Sequence, residues 1–122
     1  MTQDIRTLTQ TYITAFHNRD IQGLASLMHE DFVLTDPENE ALGPRENALR
    51  FISGLFESAG TTLTFSPRTV LVDGAHSVIE FCLTIDQDYL EGIDLIEWQD
   101  GRMLSLRAHL TQRARQIRER DH

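Results

Sequence analysis

The chain has 122 residues, of which 40% are hydrophobic and 25% charged, the length and balance of one ordinary globular domain. A single cysteine, Cys82, excludes an internal disulfide framework, and no apolar run is long enough to cross a bilayer. All 11 basic residues are arginines, which excludes Schiff-base chemistry and a phosphate-loop lysine, and the net charge of −8 argues against nucleic-acid binding.

Ile5, Leu8, Tyr12, Ala15 and Phe16 recur at helical spacing, which predicts a first helix over residues 4–17. Asp20 has the character of an N-cap for a short second helix whose apolar positions are Ile21, Leu24, Ala25, Leu27 and Met28. Phe32-Val33-Leu34-Thr35-Asp36 then reads as a strand ended by Pro37, because proline holds the preceding residue extended. Gly43-Pro44 opens a third helix with its face on Ala48, Leu49, Phe51, Ile52, Leu55 and Phe56, and Gly60 stops it. From Thr61 the period changes to two, which predicts strands at about 62–72, 76–86, 89–99 and 102–112. Asp73-Gly74 and Asp100-Gly101 are hairpin signals; the connection around Asp86-Gln87-Asp88 is less clear. Helices grouped first and antiparallel strands later imply an α+β fold. A strongly curved sheet would wrap the third helix and leave an apolar pocket at its open end. Residues 1–112 are expected to form this single domain. Residues 113–122 are expected to be a basic tail: the last 16 residues carry five arginines against two acids, while the rest carries six against 17. The amino terminus lacks the basic start and apolar stretch of a signal peptide, so a cytoplasmic protein is expected.

Three polar residues interrupt apolar faces. Tyr12 lies on the core face of the first helix, and its bland reading is a core tyrosine bonded to backbone. Asp36 shares a strand face with Phe32 and Leu34, although it could simply cap the following turn. Asp94 alternates with Ile96 and Trp98, while Glu97 alternates with Ile93 and Leu95. Each face thus holds one acid, and the pattern leaves open which is inside. On the last strand Leu106, Ala108 and Leu110 form the better inward set, which places Arg107 and His109 outside. No histidine sits at metal-ligand spacing with another His, Cys or acid, and no nucleotide-binding or nucleophile-elbow motif occurs. No metal or organic cofactor is therefore expected. Cys82 reads as a semi-buried structural residue.

The order of elements resembles the nuclear transport factor 2-like superfamily, which includes the SnoaL-like proteins. Tyr12-Ile13-Thr14-Ala15-Phe16-His17-Asn18-Arg19-Asp20, His29-Glu30-Asp31-Phe32, Asp36-Pro37 and Gly43 carry that resemblance. It implies a cone: three amino-terminal helices on a curved, mostly antiparallel sheet around an apolar pocket. Gln10-Thr11-Tyr12, Asp36-Pro37, Ile93-Asp94 and Ser105-Leu106-Arg107-Ala108 are further similar to the bacterial ketosteroid isomerases. That resemblance implies Asp36 as general base and Tyr12 with a protonated Asp94 as donors to an oxyanion, since those enzymes keep one carboxylic acid neutral in an apolar site. The substrate pocket is then expected to draw on Phe16, Leu34, Phe51, Leu55, Ile96, Trp98, Leu106, Ala108 and Leu110.

The chemistry expected from the resemblance is movement of a double bond beside a carbonyl in a hydrophobic small molecule, steroid-like or polyketide-like. A SnoaL-like polyketide cyclase using the same base, or a pocket that binds without turnover, are the alternatives. Limonene epoxide hydrolase-like chemistry needs an Asp-Arg-Asp set that has no place here. The chain departs from the isomerases where Met28 and Ile52 stand at positions that often hold supporting tyrosines. Glu91 is expected to put a charge near the pocket mouth and to oppose ionisation of Asp94. The resemblance also implies a homodimer paired through the outer sheet face.

Overall fold

A computed structural model describes residues 4–37 and 39–111. Eight elements follow in chain order: α1 (Ile5–His17), α2 (Ile21–Leu27), β1 (Met28–Thr35), α3 (Arg45–Ser58), β2 (Leu63–Asp73), β3 (His76–Ile85), β4 (Asp88–Gln99) and β5 (Arg102–Thr111). Asp4 and Asp20 cap α1 and α2 by accepting from the backbone N–H of Thr7 and Gly23. Such caps satisfy donors that the first helical turn leaves without an intrahelical partner. The expected tail at 113–122 lies outside the described residues.

The strands form one sheet in the order β1-β5-β4-β3-β2, antiparallel except where β1 runs parallel to β5. The hairpins turn at Gly74 and at Asp100-Gly101, all with positive φ, as tight two-residue connections require. The unclear third connection is equally tight, with Asp86 at φ 53°. Register shifts in β2 between Pro67 and Thr69, and between β4 and β5 at Glu97/Trp98, add local twist. Pro67 is tolerated because β2 is an edge strand.

β1 starts at Met28, four residues before the expected Phe32, and follows α2 without a loop. The cause is a register shift between Met28 and Val33 along β5. It breaks the alternation across His29-Glu30-Asp31, so period two shows only from Phe32 onward.

The curled sheet packs its inner face on α1 and α3. Phe65 is at the centre of the aromatic part of the core: its ring lies 4.7 Å from Phe81, 5.0 Å from Phe16 and 6.0 Å from Tyr12. A buried polar chain ties α1 to the sheet. Trp98 Nε1 donates to Ser77 Oγ at 2.9 Å, Ser77 Oγ lies 2.8 Å from Thr9 Oγ1, and Thr9 Oγ1 donates to the Ile5 carbonyl at 2.7 Å. Each polar atom in this chain has a partner, which is what makes its burial tolerable.

Candidate active site

Tyr12 reaches inward from the third turn of α1, Asp36 from the end of β1, and Asp94 from the middle of β4. All three line one cavity, together with Phe16, Met28, Phe32, Leu34, Phe51, Ile52, Leu55, Phe65, Phe81, Leu83, Leu106, Ala108 and Leu110. Thirteen of its 16 lining side chains are thus apolar.

Tyr12 and Asp94 form the buried end, at 4% and 3% exposure, and the Tyr12 hydroxyl donates to Asp94 Oδ2 at 3.3 Å. Burial raises the Asp94 pKa from 3.8 to about 7, while the hydrogen bond from Tyr12 opposes that rise by favouring the carboxylate. Burial also pushes the Tyr12 phenol well above its ordinary value, and the neighbouring Asp94 charge adds to this. The tyrosine's partner is therefore a carboxyl group brought from 82 residues away, not backbone.

Asp36 is half-buried. Its Oδ1 accepts from the Asn39 backbone N–H at 2.7 Å and from Asn39 Nδ2 at 3.0 Å. It does cap the following turn, as the bland reading had it, and it lines the cavity as well. Two N–H donors on one side hold the carboxylate in a fixed orientation.

Seven of the nine expected pocket residues line the cavity: Phe16, Leu34, Phe51, Leu55, Leu106, Ala108 and Leu110. Ile96 and Trp98 do not. Both are buried on the same face of β4 as Asp94, but each two-residue step carries the strand about 7 Å further. They therefore lie beyond the cavity's buried end, where Trp98 joins the Ser77 chain. Period two tells the face of a residue and not its depth.

Glu91 also departs from expectation. Three residues from Asp94, it points to the opposite face, where its Oε2 accepts from Arg68 Nη2 at 2.8 Å. It adds no charge to the cavity and is no cause of the raised Asp94 pKa. Six lining residues went unnamed in the expected pocket: Met28, Phe32, Ile52, Phe65, Phe81 and Leu83. Phe32 was legible from its alternation with Leu34 and Asp36, and Ile52 from its place on the α3 face. Phe81 and Leu83 were legible as the set opposite Glu80 and Cys82. Phe65 was legible from its alternation with Leu63 at the start of β2, whereas Met28 lies next to a register irregularity, where the pattern is weakest.

His109 and Arg107 are exposed, as expected from the apolar alternation of β5. His17 is structural: its Nδ1 accepts from the Phe65 backbone N–H at 3.1 Å. Among the described residues, no group of three or more His, Cys, Asp or Glu side chains is placed to hold a metal ion. Among the same residues, no helix is long and apolar enough to cross a membrane.

Residues 9–106 match the family model of the SnoaL-like domain. No curated protein matches the chain. Among solved structures it is similar to a "putative ketosteroid isomerase" from Kribbella flavida DSM 17836, with a TM-score of 0.78 at 22% identity, covering 90% of this chain and 79% of that one. It is also similar to a "putative SnoaL-like polyketide cyclase" from Shewanella denitrificans OS-217, with a TM-score of 0.79 at 14% identity over 98% of this chain and 100% of that one. An NTF2-like protein from Cytophaga hutchinsonii ATCC 33406 gives a TM-score of 0.78 at 12% identity, covering 93% and 95% of the two chains. At such identities the likeness is one of fold, the nuclear transport factor 2-like cone. With the family model matched over most of its length, the chain belongs to the SnoaL-like family.

Proposed function

We propose that the protein is a cofactor-free acid–base enzyme that moves a double bond into conjugation with a carbonyl. The observation that supports this most is the convergence of Tyr12, Asp36 and Asp94, from three separate elements, on one apolar cavity. In this reading the substrate carbonyl oxygen sits at the buried end. Ionised Asp36 takes a proton from the α-carbon, and the C–H electron pair moves into a dienolate. The same proton then returns from Asp36 to the γ-carbon, so the double bond shifts and the base is regenerated. Tyr12 and protonated Asp94 donate to the oxyanion while it exists, within surroundings that hold little competing solvent. Burial supports the protonated form of Asp94 near neutral pH.

The test is turnover of a panel of unconjugated enones, followed by the ultraviolet absorbance of the conjugated products. Asp36→Asn should lose about 10²–10⁴-fold or more. Asp94→Ala, lacking one oxyanion donor, should lose on the order of 10²-fold, and Asp94→Asn clearly less because the amide still donates. Equal rates in Asp36→Asn and wild type would end the assignment of the base. Membership of the SnoaL-like family supports a second reading, a polyketide cyclase with the same Asp36 base. Asp36-dependent ring closure of a carbonyl substrate, with every enone left unchanged, would favour it. Binding without turnover of either kind would favour a ligand-binding module.

A further inference from the structure

We propose that Asn39 is a positioning residue for the base: its side-chain amide grips the Asp36 carboxylate and keeps it facing the cavity while a proton is taken from one substrate carbon and returned to another. This rests on the proton-transfer reading above and adds to it a residue outside the cavity lining. β1 pairs with β5 as far as Thr35, opposite Arg107. Asp36 is one residue past that ladder, so the sheet does not fix its side chain. The loop that follows is closed in two steps. Leu34 and Leu42 exchange both backbone hydrogen bonds, at 2.9 and 2.7 Å. Inside that pair the Asp36 N–H donates to the Asn39 carbonyl at 2.9 Å, and the Asn39 N–H donates to the Asp36 carbonyl at 3.2 Å. Asn39 is thereby set opposite Asp36 by main chain alone.

The side chains then meet across the turn. Asn39 Nδ2 reaches both carboxylate oxygens, Oδ1 at 3.0 Å and Oδ2 at 3.3 Å, and the Asn39 backbone N–H donates to Oδ1 at 2.7 Å. The amide NH2 carries two donors, and contact with both oxygens restrains rotation of the carboxylate about its last bond. Shaping the turn does not require this contact, because the backbone N–H on Oδ1 already serves it. Asp36 and Asn39 are both half-buried, so water has access to the carboxylate and competes with the amide for it. The base has to meet two carbons in turn, and a displacement of about 1 Å at a reacting group can cost about 10²-fold in rate.

The test compares Asn39→Ala and the isosteric Asn39→Asp with wild type, on whichever unconjugated enone the wild type turns over. Alanine removes Nδ2 and leaves the backbone donor. Aspartate keeps the shape but sets an acceptor against an acceptor. Asn39→Ala should lower kcat by about tenfold with KM within about twofold, since the oxyanion end is untouched, and Asn39→Asp should lose at least as much. With substrate deuterated at the α-carbon, the share of label carried to the γ-carbon should fall in both variants, because a loosened carboxyl group exchanges its deuteron with water before returning it. Wild-type kcat and label transfer in Asn39→Ala, with Asp36→Asn inactive, would overturn the inference and leave the base assignment standing. So would a loss carried by KM alone, or a wild-type rate in Asn39→Asp, which would reduce Asn39 to a filler of space. Should the alanine variant not fold, the isosteric one decides. If the wild type isomerises no enone, or Asp36→Asn matches it, the proton-transfer reading fails and this inference falls with it.

Discussion

Asp94→Asn should remove a large part of the pH dependence of stability. The Asp94 side chain is almost fully buried, and burial lifts its pKa from 3.8 to about 7 against the pull of the Tyr12 hydroxyl. The folded value lies above the unfolded one, so the native state holds this proton more tightly. The resulting stabilisation is fully present below the unfolded pKa of 3.8, declines as pH rises, and is gone above the folded value of about 7. One pKa unit corresponds to ~1.4 kcal/mol, so the whole swing is about 4 kcal/mol. From about pH 5.5 to about pH 8.5, a window above the sequence pI of 4.9, the remaining part is about 2 kcal/mol. The other carboxylates titrate in both proteins, so the difference between wild type and Asp94→Asn isolates this one group. Urea unfolding across that window should show wild type losing about 2 kcal/mol more than the variant. Parallel stability curves would refute the reasoning, as would a carboxyl carbon titration placing Asp94 near its unfolded value. The same titration sets an expectation for catalysis: activity should fall as pH rises through about 7, because the ionised carboxylate no longer donates.

Glu91→Gln should leave the Asp94 titration in place, since Glu91 faces outward on Arg68; an Asp94 pKa lowered by that change would restore Glu91 to the cavity. Ser77→Ala should destabilise the fold by about 1–3 kcal/mol in urea, because it strands the buried Trp98 N–H and cuts the link to Thr9; a loss within error would show that the chain contributes nothing. We also propose pairing of two copies through the outer sheet face, where Leu71 and Ile93 are 60% and 45% exposed; sedimentation at micromolar concentration showing only a 14.0 kDa species would rule that out. Activity should survive exhaustive chelation, and activity that disappears and returns with zinc would contradict a metal-free mechanism.

Local pattern was enough for the order of elements. The apolar face of α1, the Asp20 cap, the Pro37 stop and the Asp-Gly turns each act within a few residues, so each is visible in one stretch of chain. The three polar exceptions were visible too, because an acid or a tyrosine on an apolar face stands out wherever the face points. What the pattern could not supply was the partner from far along the chain. On β4 the sets Asp94-Ile96-Trp98 and Ile93-Leu95-Glu97 are equivalent by alternation. Packing of α1 and β3 decided between them: Tyr12 of α1 donates to Asp94, and Trp98 donates to Ser77 of β3, which Thr9 of α1 joins. The start of β1 depended on Met28 pairing with Met103, 75 positions later, across a register shift that hides the period. Depth was equally beyond reach, since alternation assigns a side to Ile96 and Trp98 but not a distance from the cavity. Whether Asp36 caps a turn or lines the cavity was a false choice locally, and the curl of the sheet, which brings β1 over the same space as β4, lets one carboxylate do both.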